Sequence, residues 1–170
     1  KKAPFPPALL YFFSDITQED LDRLEEIWPD IWTERRRGLL EDMEHLAEND
    51  TLLFFDHVAI MCLRDEDPVA RATDISLLWQ SHKEKLVPLF LNLLREDPES
   101  IVRAAAATGL GMFVYLGELE EIKESTFKKV IKNLIQVHES SDDQLVRRRA
   151  LESLGYASHP DIPAFIQRAY

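Results

Sequence analysis

A short motif recurs along this chain at intervals typical of stacked helical units. Its clearest copy, DPESIVR at 97–103, opens an apolar, helix-like run, and weaker copies begin at Asp65, Asp142 and Pro29. The arginine that ends each copy is Arg36, Arg71, Arg103 or Arg147. The steps between these arginines are therefore 35, 32 and 44 residues. Self-similarity at a period of about 20–50 residues indicates a solenoid, and helical runs at this spacing indicate helix pairs.

Capping signals divide the chain into helices. Thr17 precedes an apolar-periodic run, and the pairs Asp67-Pro68 and Asp97-Pro98 each set a capping acid before a proline at the first helical position. The sequence predicts an all-α superhelix of about four helix pairs plus a trailing helix, in a single domain. We expect an apolar segment over 1–16, repeats at roughly 17–49, 50–82, 83–117 and 124–157, and the start of a further repeat at 160–170. That unfinished repeat suggests a fragment of a longer array.

The sequence also predicts two details of the helices and the position of the N-terminal segment. Pro88 should kink the fifth helix from within, and Gly117 should end the sixth as a C-cap. The apolar stretch 9–13 should fold back over the first repeat, because an exposed patch of this kind promotes aggregation. A docking strip for a partner is the alternative for this stretch.

Segment 97–111, DPESIVRAAAATGLG, resembles the second helix of HEAT repeats, of the bacterial type also seen in phycobilisome-lyase-like proteins. Segments 65–79 and 142–155 match it less fully, and Asp74 stands where Ala106 and Ala150 stand. The resemblance covers roughly 30–170 and implies a curved right-handed solenoid. It also implies a structural ladder of aspartates and arginines between neighbouring repeats. The members of that ladder would be Asp30, Asp65 or Asp67, Asp97 and Asp143, with Arg36, Arg71, Arg103 and Arg147.

The expected function is that of a non-catalytic protein-binding scaffold, because solenoids expose an extended concave face lined by their second helices. Counting from the ladder arginines places on that face Arg37, Glu41, Ser76, Trp79, Gln80, Thr108, Met112, Arg148, Glu152 and Tyr156. Residues 1–50 carry six basic and thirteen acidic side chains, whereas residues 101–170 carry nine of each. The partner should therefore be a protein or peptide of mixed charge, or one with a basic end.

Other functions find little support in the sequence. The net charge of −11 argues against nucleic acid and anionic membranes, and no apolar run approaches the roughly 20 residues of a membrane span. The five histidines and the single Cys62 form no metal-binding motif, and no nucleophile elbow or phosphate loop occurs. We expect no enzyme activity, no cofactor, no metal and a cytoplasmic location. Two alternatives stay open: nucleic-acid binding through the arginine clusters 35–37 and 147–149, and a bilin-lyase-like module.

Overall fold

The computed structural model describes residues 6–14, 16–79, 81–140, 142–160 and 162–169, and within these ranges every regular element is helical. The predicted all-α class is therefore confirmed. The chain forms two compact units, Lys1–Ser81 and His82–Tyr170. The grouping of all repeats into a single domain stays a prediction.

The first unit stacks its helices in two layers. Its helices are α1 (Pro7–Leu10), α2 (Gln18–Ile27), α3 (Thr33–Asn49), α4 (Asp56–Cys62) and α5 (Pro68–Leu77), with 3₁₀ turns at Tyr11–Phe13 and Trp28–Asp30. Helix α2 packs against α4, and α5 packs against both α3 and α4. Two predicted caps are present: Thr17 accepts from the Asp20 N–H at 3.2 Å, and Asp67 from the Ala70 N–H at 2.9 Å. These bonds satisfy N–H groups that have no partner within the helix.

The second unit is built around one long helix. After a 3₁₀ turn at Glu84–Leu86 come α6 (Val87–Glu96), α7 (Ser100–Glu118), α8 (Glu124–His138), α9 (Gln144–Leu154) and α10 (Ile162–Ala169). Helix α7 contacts α6, α8 and α9, while α6 also contacts α8. Phe90 of α6 meets Phe113 of α7 edge to face, with ring centroids 6.2 Å apart. The first helices α6 and α8 therefore form one layer, and the second helices α7 and α9 form the other.

Three helix details were wrong. The pair Asp97-Pro98 does not cap α7, which begins at Ser100 after Glu99 and has no side-chain cap. Pro88 lies in the first turn of α6, where its missing N–H breaks no helical bond, so it causes no internal kink. Gly117 does not end α7, which continues to Glu118, and the positive φ of 59° that follows belongs to Glu120. Gly117 is needed for another reason: a Cβ there would run into the ring of Phe127 on α8.

Helix α7 is long and apolar enough to cross a membrane by its length and composition alone. This corrects the expectation that no segment approaches that length. Half of this apolar stretch of α7 is buried inside the unit. Its buried side chains include Val102, Leu110, Phe113 and Val114, each at no more than 1% exposure. The apolar side chains of α7 thus form part of the core of this unit.

Candidate functional site

Arg103 joins the start of α7 to the start of α9. Its Nη1 donates to the carbonyl oxygens of Asp97 and Pro98, both at 2.9 Å, in the loop before its own helix. Its Nε and Nη2 donate to the two carboxylate oxygens of Asp142 at 3.1 and 2.6 Å. Hydrogen bonding to Arg103 lowers the pKa of Asp142, while burial acts in the opposite direction. The forked geometry makes this a directed, charge-assisted bridge between neighbouring repeats.

Arg36 makes the equivalent bridge in the first unit, where it is buried. Its Nη2 donates to Asp65 Oδ1 at 3.1 Å, its Nε lies 2.9 Å from Asp65 Oδ2, and its Nη1 donates to the Ile31 carbonyl at 2.8 Å. The indole N–H of Trp28 donates to the same Asp65 carboxylate at 2.6 Å. Of the two acids considered for this position, Asp65 is thus the one that Arg36 binds.

Arg37 was predicted to face a partner, but its guanidinium is held by Asp67. The Nε donates to Asp67 Oδ2 at 2.8 Å, and Nη2 bonds the other carboxylate oxygen. This hydrogen bonding lowers the pKa of Asp67; burial raises it, and the bond from the Ala70 N–H lowers it further. Only 39% of the Arg37 side chain is exposed. Arg37 therefore supports the contact between α3 and the start of α5, and its guanidinium is engaged by Asp67.

The other two arginines of the predicted ladder bind backbone carbonyls. Arg71 is buried, and its Nη1 donates to the carbonyl oxygens of Asp65 at 2.7 Å and Glu66 at 3.1 Å. Arg147 is exposed, and its Nε donates to the His138 carbonyl at 3.0 Å. Arg71 thus fastens the loop before its own helix, whereas Arg147 binds the last residue of the preceding helix α8.

The predicted ladder aspartates occupy local turns. Asp143 accepts from the Leu145 N–H at 2.8 Å and caps α9, so the acid that Arg103 binds is the residue before it. Asp97 accepts from the Glu99 N–H at 3.0 Å, and Asp30 lies exposed in the 3₁₀ turn after α2. These acids shape loops, while Asp65 and Asp142 supply the carboxylates for Arg36 and Arg103.

One face of α7 carries a stripe of exposed side chains, with the half-buried Met112 among them, that runs from the first turn to Leu119 just after the helix. Its members are Ile101, Thr108, Met112, Tyr115 and Leu119, whose spacing of 7, 4, 3 and 4 residues keeps them on one side of a helix. Ile101, Tyr115 and Leu119 are each between 43% and 49% exposed. Thr108 and Met112 were predicted for a partner face, and both belong to this stripe.

Tyr156, in the turn after α9, extends the stripe onto the neighbouring repeat. Its ring meets that of Tyr115 edge to face, with centroids 6.4 Å apart, and Tyr156 is 60% exposed. Helices α7 and α9 approach closely, because a Cβ on Gly111 would lie only 2.9 Å from Ser153 Oγ. Ser153 Oγ also donates to the Ala107 carbonyl at 2.9 Å. The close packing of α7 and α9 thus brings two exposed aromatic rings together.

The charged residues beside this stripe neutralise one another. Arg148 Nε donates to Glu152 Oε1 at 2.8 Å, and Arg149 Nη1 donates to Glu152 Oε2 at 2.6 Å. The hydrogen bond from Arg148 lowers the pKa of Glu152; burial opposes it, and the bond from Arg149 adds to it. The arginine cluster 147–149 therefore offers less free positive charge than its sequence indicates.

The corresponding face of the first unit is acidic. Exposed on it are three of the predicted partner residues, Glu41, Ser76 and Trp79. Burial raises the pKa of Glu44 on α3, the charges of Glu48 and Glu41 raise it further, and a hydrogen bond with Ser76 opposes the shift. Gln80, also predicted for this face, lies outside the described residues.

Two buried groups in the first unit stand apart from these faces. Asp74 on α5 is fully buried, and neither of its carboxylate oxygens has a hydrogen-bond partner among the described residues. Burial raises its pKa well above the usual range, and the charge of Asp65 adds to the effect. Cys62 is also buried, and burial raises its pKa, with the charges of Asp74 and Asp65 contributing. In the described part of the chain, no three His, Cys, Asp or Glu side chains meet in an arrangement that could hold a metal ion.

Sequence reasoning missed several participants. Tyr115 lies three residues after Met112, so the helical period already placed it on the same face. Glu44 lies three residues after Glu41 and could have been found in the same way. The indole bond of Trp28 to Asp65 had no local signal, because 37 residues separate the two.

Comparison with known proteins identifies one repeat. A family model described as the HEAT repeat matches residues 86–116, which contain α6 and most of α7. No curated protein matches the chain. The match identifies the repeat type and not a subtype, so the phycobilisome-lyase-like resemblance stays a prediction. The helix pair at 86–116 therefore forms a HEAT repeat, and the helix pairs of both units fit an all-α HEAT-type solenoid.

Proposed function

We propose that this chain is a protein-binding scaffold that holds a partner on the exposed faces of its second helices. HEAT repeats commonly serve as protein-interaction scaffolds. The observation that carries the proposal is the aromatic pair Tyr115–Tyr156, which stands exposed on the stripe of α7. Tyrosines are enriched among the residues that dominate binding energy, since a large rigid ring buries much area at little entropic cost.

The surroundings of the aromatic pair suit an interface. Met112 and Leu119 add apolar area beside the rings, while Arg148 and Glu152 supply a polar edge. An apolar centre with a polar rim is the usual anatomy of a protein interface. The first unit has a face of its own, where acids exposed on α3 favour a partner segment with a basic end.

The charge arrangement favours a protein partner over nucleic acid. Arg36 and Arg37 are already bound by carboxylates, and Arg148 and Arg149 share Glu152. Nucleic-acid binding depends on basic side chains that can neutralise phosphates. We expect no gel shift at low salt with either duplex or single-stranded oligonucleotides, and a shift that falls steeply with added salt would favour the nucleic-acid alternative.

The proposal is tested by affinity capture with matched variants. Tyr156→Ser removes one ring of the aromatic pair, Arg148→Glu and Glu41→Arg reverse charges on the predicted faces, and Leu89→Ser removes a 40% exposed apolar side chain from the first-helix layer. We expect one protein to be retained by the parent and by Leu89→Ser but reduced about tenfold or more by Tyr156→Ser. Retention that is equal across all four variants would refute the proposed face.

A further inference from the structure

An apolar trough of about 300 Å³ opens at the N-terminal side of the first unit. One wall is α1 with the 3₁₀ turn that follows it, and the other wall is one side of α2. The apolar side chains that line it are Leu9, Phe12, Phe13, Ile16, Leu24 and Ile27. This trough is formed by α1 and α2. It is therefore separate from the partner face proposed above, which lies on the second helices, α3 and α5 in this unit.

The walls of the trough are apolar and open to water. Leu24 forms a floor at 8% exposure, whereas Leu9, Ile27 and Phe12 are 45%, 54% and 72% exposed. The adjoining segment is fixed in place, because Leu10 is buried and Ser14 Oγ accepts from the Phe54 N–H at 3.0 Å. Of the stretch 9–13, Leu10 is buried while Leu9, Tyr11 and Phe12 stay exposed, so a concave apolar surface remains and the full fold-back of this stretch stays a prediction. Contiguous exposed apolar surface of this kind marks interaction sites.

The α2 wall is strongly acidic. Its ten residues carry Glu19, Asp20, Asp22, Glu25 and Glu26 against the single cation Arg23. Asp20 lines the trough itself, and Arg23 is already engaged, at 2.6 Å from Glu19 and 3.8 Å from Asp20. An occupant must therefore combine apolar groups for the trough with positive charge for α2.

We propose that this trough docks a basic amphipathic helix of a partner protein, with its apolar ridge in the trough and its Lys/Arg flank along α2. Helices bind grooves through apolar anchors at i, i+3 or i+4 and i+7, and α2 is about 15 Å long, which matches roughly three turns of a ligand helix. The acidic wall repels phosphate-bearing surfaces such as nucleic acid or anionic membranes. A second copy of this chain fits poorly, since its net charge is −11.

The test measures fluorescence anisotropy of a labelled Leu/Lys amphipathic peptide of about five turns with the full chain. Two peptide controls are a scrambled sequence of the same composition and a Leu/Glu analogue of the same pattern. Phe12→Ser and Ile27→Ser change the trough, while Leu52→Ser removes an 81% exposed apolar side chain outside its lining. Circular dichroism verifies that each variant is folded, and Phe12 is exposed enough that its loss leaves the core intact.

We expect the Leu/Lys peptide to bind best, with about a tenfold loss in Ile27→Ser and in Phe12→Ser and less than a twofold change in Leu52→Ser. Glu26→Lys should also weaken binding, and this difference should shrink at high salt. Equal binding of the scrambled peptide, or equal losses in Ile27→Ser and Leu52→Ser, would show mere adhesion to an acidic surface and overturn the proposal. Concentration-dependent dimers abolished by Ile27→Ser would overturn it too, by identifying a second copy as the occupant.

Discussion

Replacing Asp74 with alanine should make the protein more stable. Asp74 is fully buried on α5, its carboxylate oxygens have no hydrogen-bond partner among the described residues, and burial raises its pKa well above the usual range. The positions equivalent to it in later repeats are Ala106 and Ala150, both fully buried. Alanine therefore already fits this place in the repeat.

The magnitude follows from three opposing contributions. An unpaired buried polar group costs about 1–3 kcal/mol, which the substitution removes. Alanine adds up to about 0.5 kcal/mol through its higher helix propensity. The missing carboxyl leaves a space of about 25 Å³, which costs about 0.6 kcal/mol at the usual rate for cavities. We expect a net gain of about 0.5–3 kcal/mol at neutral pH, or roughly 2–9 °C in Tm.

The gain should also depend on pH. Because the folded pKa of Asp74 is raised above its unfolded value near 3.8, the native state holds a proton that the unfolded chain releases between the two pKa values. The favourable contribution of this proton is complete below the unfolded pKa and is lost as pH rises toward the folded one. The advantage of Asp74→Ala over the parent should therefore be smallest near pH 4 and should widen by at least about 1 kcal/mol by pH 7.

Urea denaturation followed by tryptophan fluorescence is a suitable assay. Trp28, Trp32 and Trp79 all belong to the first unit, which also contains Asp74. Asp22→Ala changes an exposed acid on α2 and should leave stability within about 0.5 kcal/mol of the parent at both pH values. A destabilised Asp74→Ala variant, or a gain that is the same at pH 4.5 and pH 7, would refute the reasoning.

Two further predictions concern Arg103 and Cys62. Arg103→Ala should lower the free energy of unfolding by about 2–3 kcal/mol, because the bridge from Arg103 to Asp142 is mostly buried. Arg148 is exposed, so Arg148→Ala should cost under about 1 kcal/mol. If both variants melt like the parent by circular dichroism, the Arg103 bridge does not stabilise the fold. Cys62 should not react with a thiol reagent at pH 8 in the folded protein, because the thiol is buried and burial raises its pKa. In denaturant it should react fully. Labelling of the native chain at the denatured rate would contradict this prediction.

Much of the fold could be predicted because its signals are local. Thr17 and Asp67 each stand within three residues of the N–H group they cap, and Pro68 fixes the backbone of the turn it opens. The error at Pro88 was one of local interpretation, because a proline in the first turn of a helix breaks no helical bond, whereas the error at Gly117 arose from a distant residue. Gly117 is packed against the ring of Phe127, on a different helix, and no nearby residue reports that contact.

The residues of the candidate site also fall into two groups, those that local spacing predicted and those whose partners lie far away in the sequence. Helical periodicity placed Thr108 and Met112 on the exposed face of α7, since one face of a helix follows from spacing alone. The same counting placed Arg37 on a partner face, but it could not show that Asp67, 30 residues away, binds its guanidinium. The choice of Asp142 over its neighbour as the partner of Arg103 depends on side-chain direction across repeats, which spacing does not encode.

The bridges of Arg36 and Arg103 both run in the same direction along the chain. This direction bears on how repeats can be added to such an array. Each guanidinium binds carbonyls of the segment before its own helix and then reaches onward to a carboxylate of the following repeat. A single repeat with this pattern carries the receiving acid at one border and the reaching arginine at the other. A duplicated copy inserted between two such repeats would meet complementary groups at both new joints. Where both borders of a repeat carry these groups, its duplication would need no new contact at the joints.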